Sequence, residues 1–174
     1  MPCQHHASYF PVGEAVRGWL SLVGSLHLSA AELELLRSFW QHQVRYLVIG
    51  GHAVQHYGYL RVAKDLDLFV DREGDNPANV IAALGAVGIS DLRLTEDQLS
   101  KDKQQIHIGA PHYVELLTTI EAVEFHEAFD TRSIVRDSAL EIPVISYDLL
   151  IKTKRALGRP EDLTDISELE KTQS

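Results

Sequence analysis

Between Tyr46 and Val70 the chain reads YLVIGGHAVQHYGYLRVAKDLDLFV, and this stretch limits what the rest can build. A nearly continuous apolar run, Val44 to Ile49, ends in Gly50-Gly51. Thirteen residues, 52–64, then lead to a second run that opens with Asp65 and Asp67. Side chains alternate along a strand, so Asp65 and Asp67 are predicted to share one face while Leu66 and Leu68 take the other. Two carboxylates crowded on one face repel each other unless a proton or a cation sits between them. A divalent-metal site is the economical reading of that pair.

The residues around the pair extend the idea. Glycine has no Cβ, so Gly50-Gly51 permits a sharp strand-to-helix turn and a close approach to the backbone. Free N–H groups at the start of the following helix, His52 to Tyr59, can bind phosphate. Hard divalent cations favour oxygen ligands, and Mg²⁺ retains several waters, so two aspartates rarely complete a site. Glu115 is the best third carboxylate. It lies in the apolar run Tyr113 to Leu117, where a lone acid is uncommon without a purpose; the alternative is a solvent-facing edge position. Placed opposite Asp65 and Asp67, Glu115 would bind metal and orient or deprotonate an attacking hydroxyl.

Elsewhere the pattern alternates helix and strand. A helix is predicted over Ala15 to Leu28, and the Ser29-Ala30-Ala31-Glu32 spacing of a capping box starts a second. Leu33, Leu36, Phe39 and Trp40 form its apolar face, with Trp19 and Trp40 read as packing residues. Asp65 to Val70 is the second strand, and Asn79 to Val87 a helix. Leu92 to Lys103 reads as a surface connection. Gln105 to Ile108 and Tyr113 to Leu117 form a hairpin through Gly109-Ala110-Pro111-His112. Ala122 to Phe129 is a short helix, followed by strands over Ser133 to Val135 and Leu140 to Ile145. Ser146 would cap a helix over Tyr147 to Leu157, and Gly158 and Pro160 separate it from a terminal helix over Leu163 to Leu169.

Composition narrows the function classes. The chain has 174 residues, 45% of them hydrophobic, and a formal charge of −9. It is expected to form a single domain over 1–174, with an N-terminal helical segment over 8–43 and a C-terminal one over 146–172. An acidic surface does not attract long DNA or RNA. No apolar stretch approaches the roughly 20 residues that span a bilayer. The start, MPCQHHASYF, lacks the basic-then-apolar pattern of an export signal, and the lone Cys3 cannot form an internal disulfide. A cytoplasmic protein is expected.

GGHAVQHYGYLRVAKDLDLFV resembles the core signature of the nucleotidyltransferase superfamily. The similarity continues through YVELLTTIEAVEFHEAF and into ISYDLLIKTKRALGRPEDLTDISELE, and is greatest to small bacterial minimal-nucleotidyltransferase-like and toxin–antitoxin-associated proteins. The resemblance implies an α/β (α+β) nucleotidyltransferase fold, a mixed β-sheet flanked by helices. It implies Mg²⁺-dependent transfer of a nucleoside monophosphate from an NTP to an acceptor hydroxyl, with release of pyrophosphate. Asp65, Asp67 and Glu115 would hold two Mg²⁺ ions, and Gly50 and Gly51 would pack against the triphosphate.

Around that core, Arg61 matches a recurrent arginine and, with Lys64, approaches Asp65. Each faces phosphate or forms a surface ion pair. Lys154 is the C-terminal residue expected to contact phosphate, the alternative being an ion pair with Asp162. His52, directly after Gly51, would contact nucleotide; His52 and His56 at i, i+4 lack the acid and third ligand of a zinc site. The sequence departs from the resemblance at Tyr57-Gly58, where the family often has His-Gly, at Ala63 in place of Thr, at Glu115 in place of Asp, and at Glu161 in place of Lys. These departures keep open a second reading, a catalytically weak or inactive nucleotide-binding, partner-regulating module. The acceptor is unidentified among small molecules, proteins and RNA, and a homodimer or protein partner is expected to help form its site.

Overall fold

The computed structural model describes residues 26–90 and 93–173. Its elements are α1 (Ala30–Gln41), β1 (Tyr46–Val48), α2 (Gly50–His56), β2 (Leu66–Val70), α3 (Asn76–Ala86), α4 (Glu96–Leu99), β3 (Gln105–Ile108), β4 (Val114–Leu117), α5 (Phe125–Asp130), β5 (Ser133–Asp137), β6 (Leu140–Val144), α6 (Tyr147–Leu157) and α7 (Pro160–Thr172). The strands form one mixed sheet in the order β3-β4-β2-β1-β6-β5. β1 runs antiparallel to β2 and parallel to β6, and β2 runs parallel to β4. Antiparallel hairpin partners, β3 and β5, close the two edges. This is the mixed sheet flanked by helices that the sequence implied.

The strand residues explain the placement. Tyr46, Leu47 and Val48 are all buried, as expected for a central strand covered on both faces. β1 is shorter than the Val44 to Ile49 run because Ile49 already serves as N-cap to α2. β2 and β4 place Leu66, Leu68, Val114 and Leu116 in the core. Phe69 and Phe125 meet edge to face, which anchors α5 against the sheet.

The start of α1 is the reciprocal box read from sequence. Ser29 Oγ accepts from the Glu32 N–H, and the Glu32 carboxylate accepts from the Ser29 N–H. Leu35, Leu36 and Phe39 are buried, while Trp40 is 60% exposed. The helical stripe is therefore rotated from the predicted one, with Leu35 taking the inward place assigned to Trp40. Ser38 Oγ donates to the Ala83 carbonyl and links α1 to α3. The predicted Ala15 to Leu28 helix and Trp19 lie outside the described residues, except for Leu26 to Leu28, which are not helical.

Other boundaries shift for local reasons. α3 begins three residues early because Pro77 fits a helix's first turn. The surface connection contains α4, held by a second capping box between Thr95 and Gln98, and Leu99 is buried. Ser146 occupies the N-cap of α6 without a side-chain cap bond. Gly158 ends α6 in the left-handed region at φ 63°. Pro160 then starts α7, making that helix longer than Leu163 to Leu169. Among the described residues, no helix is long and apolar enough to cross a membrane.

Candidate active site

Parallel pairing of β2 and β4 aligns Asp67 with Glu115. Neighbouring strands lie about 4.8 Å apart, so two carboxylates at matched positions on one face are close enough to repel strongly. Burial, then the charge and contact of Glu115, push Asp67 up to about 7; the Gly51 N–H pulls the other way, and Asp65 adds a smaller push. Gly50, at φ 60°, supplies the room: a Cβ there would stand 1.9 Å from Asp67 Oδ2. Gly51 packs against Ala63, whose Cβ lies 3.0 Å from where a Gly51 Cβ would be. The glycine pair therefore seats the Asp67 carboxylate against the start of α2.

β3 holds the second acid. His107 pairs with Glu115 across the ladder, and its Nε2 lies 3.3 Å from Glu115 Oε1. Gln105 Nε2 donates to the same oxygen. Asp67 and Glu115 line a cleft of about 590 Å³, walled by Gly50 and β4 and bordered by Leu150, Thr153 and Lys154 of α6.

The cations near this cleft are mostly committed to one another's counter-charges. Lys154 is buried, with Nζ 3.1 Å from Asp162 Oδ1 and 2.7 Å from Asp165 Oδ2. Arg61 contacts Asp165 through Nε at 2.8 Å and Nη2 at 3.1 Å. Arg159 donates from Nε to Asp162 Oδ2 at 2.7 Å. Burial pushes the Asp162 carboxyl up, but Arg159 and Lys154 outweigh it and hold the group below its ordinary range. The hydrogen bond to Asp162 raises Arg159, and the negative charge of Asp67 reaches it too.

No protein-family model matches the chain, and no curated protein matches it in sequence. Solved structures do match. A candidate nucleotidyltransferase of Thermotoga maritima superposes with a TM-score of 0.51 at 15% identity, covering 94% of this chain and 97% of that one. An antigenic nucleotidyltransferase-like protein of Paracoccidioides brasiliensis superposes with a TM-score of 0.52 at 18% identity, covering 83% of this chain and 77% of that one. The fold is that of the nucleotidyltransferases.

Within this nucleotidyltransferase fold the residues singled out from sequence divide into two groups. Gly50, Asp67, Glu115 and Lys154 share the cleft wall. Asp65 does not: it stands one residue before β2, exposed at a bend, where strand alternation no longer fixes its side with Asp67. Among the described residues, no group of three or more His, Cys, Asp or Glu side chains is arranged to hold a metal ion. Asp67 and Glu115 are the two of the expected three carboxylates that share the cleft wall.

His52 is 3% exposed and turned toward α1, with Nε2 4.0 Å from Glu32 Oε1; burial lowers its pKa against the pull of Glu32. It is absent from the cleft wall. Arg61 and Lys154 take the ion-pair alternative, because two aspartates on one face of α7 need counter-charges once buried. Lys64 is exposed, outside the cleft wall, and unpaired among the described residues. Tyr57, standing where the resemblance has His, donates to the Ile145 carbonyl at 2.8 Å. Lys103 and Gln105 line the cleft without a signal singled out from sequence, and Arg159, part of the charged C-terminal pattern of the resemblance, joins them. Alternation in Gln105-Ile106-His107-Ile108 was the one available signal, since it places Gln105 and His107 on a shared face.

Proposed function

We propose that this protein is a metal-dependent nucleotidyltransferase, transferring a nucleoside monophosphate from an NTP to an acceptor hydroxyl. The observation that carries this reading is the Asp67–Glu115 pair, level with each other on β2 and β4 inside a cleft large enough for a nucleotide. The fold supports it.

The donor set suits Mg²⁺. Asp67 and Glu115 offer hard oxygen ligands, and the upward push on Asp67 marks charge that a cation would relieve. Mg²⁺ is commonly held by one or two carboxylates together with waters and substrate phosphates. Asp67 and Glu115 would hold it, with Asp65 the third carboxylate that the resemblance implies. The bound ion would neutralise phosphate charge and polarise the attacked phosphorus.

The chain's own groups supply position and proton transfer. Gly50 keeps the backbone beside Asp67 open to the α-phosphate. Arg159, at the same end of the cleft, faces the negative charge of the departing pyrophosphate. The acceptor oxygen forms a bond to the α-phosphorus, the bond to the β-phosphate bridge breaks, and Glu115 receives the hydroxyl proton. The acceptor, on a small molecule, protein or RNA, would enter from the open side of the cleft, where a homodimer or protein partner could complete its site.

A second reading is motivated by the ion pairs. Arg61 and Lys154 are bound to Asp165 and Asp162 rather than free for phosphate, which suits a nucleotide-binding module with little turnover. Incubation with each α-labelled NTP and Mg²⁺, across small-molecule, protein and RNA acceptors, separates the two. Transfer abolished by Asp67→Asn supports the enzyme. Calorimetric binding of Mg²⁺-NTP without any labelled product supports the module, and absence of binding overturns both.

A further inference from the structure

The cleft has two chemically different ends. Asp67, Glu115, Gly50 and Arg159 gather at one. Two residues on from Glu115 the wall turns apolar at Leu117, and Ile120 from the sheet side and Leu150 and Leu157 from α6 add to the apolar lining. Gln105 reaches back to Glu115, and past Leu117 lie Lys103 and Gln104, on backbone bound to Thr119 and Thr118. Glu115 and Thr119 mark the two ends on one chain segment, four residues and at most about 13 Å apart.

Lys103 is held firmly at its backbone and left free at its tip. Its N–H donates to Thr119 Oγ1 at 3.1 Å, and its φ of 57° is a conformation few non-glycine residues adopt. The next residue is pinned as well, the Gln104 N–H donating to Thr118 Oγ1 at 3.1 Å. Neighbouring charges are satisfied, Lys101 by Asp97 and Asp102 by Arg72. The Lys103 ammonium has no ion pair or hydrogen bond to any described residue.

We infer that this far end reads the edge of the donor nucleobase and selects a base carrying an oxo group there, guanine or uracil, over adenine and cytosine. The inference rests on the nucleotidyl-transfer reading, which places the phosphates at the carboxylate end. A phosphate cannot cross the apolar stretch without losing its partners, whereas the flat face of a base fits between Leu117 and the leucines of α6. The base edge then meets an ammonium, which only donates. Guanine offers O6 and N7, and uracil offers O4, as acceptors; adenine and cytosine present amino donors at the corresponding positions. The Gln104 amide nitrogen already donates to the Asp102 carbonyl, leaving its carbonyl oxygen to accept a ring N–H.

The test is a calorimetric panel of ATP, GTP, CTP, UTP and ITP with Mg²⁺, on wild type, Lys103→Met and Lys103→Arg. ITP differs from ATP in the oxo group at C6 and its ring proton. The expected result is about tenfold tighter binding of ITP and GTP, or of UTP, than of ATP and CTP. Lys103→Met should erase that ratio, and Lys103→Arg should keep most of it. A flat wild-type panel, a preference for ATP or CTP, or an equal loss for every nucleotide in Lys103→Met overturns base-edge reading. If labelled transfer still occurs in that case, only this inference fails; if wild type binds no NTP, the donor-site reading fails with it.

Discussion

Asp67 Oδ2 occupies the place where a side chain at residue 50 would have to begin. Gly50→Ala is therefore expected to destabilise the fold by roughly 2–4 kcal/mol, combining overpacking with a left-handed backbone that alanine resists. Urea denaturation of Gly50→Ala, Asp67→Gly and the double variant checks this. The double variant should recover a large part of the loss, because deleting the carboxylate removes the clash but not the backbone strain. Simple additivity of the two single effects would refute the contact.

The elevated Asp67 value fixes a pH dependence. In the folded chain this group binds its proton up to about 7, against an ordinary value of 3.8. Between those values the folded state holds more proton than the unfolded one, so this group's contribution is complete below about 4 and is lost as pH rises through 7. Asp67→Asn should accordingly be more stable than wild type above pH 7, by roughly 1–3 kcal/mol, with the difference shrinking toward pH 4. His52 titrates in the opposite sense, its lowered pKa removing stability as pH falls. The variant-minus-wild-type difference in urea midpoints isolates Asp67.

Magnesium should act on the same balance. If Asp67 and Glu115 hold the ion, millimolar Mg²⁺ raises the wild-type melting temperature at pH 8, and neither Asp67→Asn nor Glu115→Gln responds. Differential scanning calorimetry reads the shift. An equal response in all three proteins would place the cation elsewhere.

Lys154 separates stability from binding. Removing one member of a buried ionic cluster commonly costs about 3–5 kcal/mol, because the remaining charges lose their partner. Lys154→Met should show a loss of that order in urea denaturation, with Asp162 and Asp165 left under-compensated. Near-normal stability with weakened Mg²⁺-NTP affinity would instead return Lys154 to the phosphate role expected from sequence.

Much of the fold was legible because local patterns and global packing agree. The apolar run at β1, the alternation in β3 and β4, and the Ser29–Glu32 box each report one conformation, and each forms. α4 escaped notice because four residues carry too little periodicity, although Thr95 and Gln98 encode its start. The site was legible as far as the strands define it. Asp67 and Glu115 meet because β2 pairs with β4, whereas Asp65 falls outside the ladder by one residue, a margin that periodicity does not resolve. Arg61 meets Asp165 across 104 residues of chain. Nothing local specifies that partner over a phosphate; only the docking of α7 decides it.

That docking makes α7 unusually intolerant of removal. A premature stop just after Gly158 would spare all six strands and both cleft carboxylates. It would also strand Lys154 in the interior with neither Asp162 nor Asp165, and release Arg61. Nonsense variants there should behave as folding mutants rather than as trimmed but intact proteins.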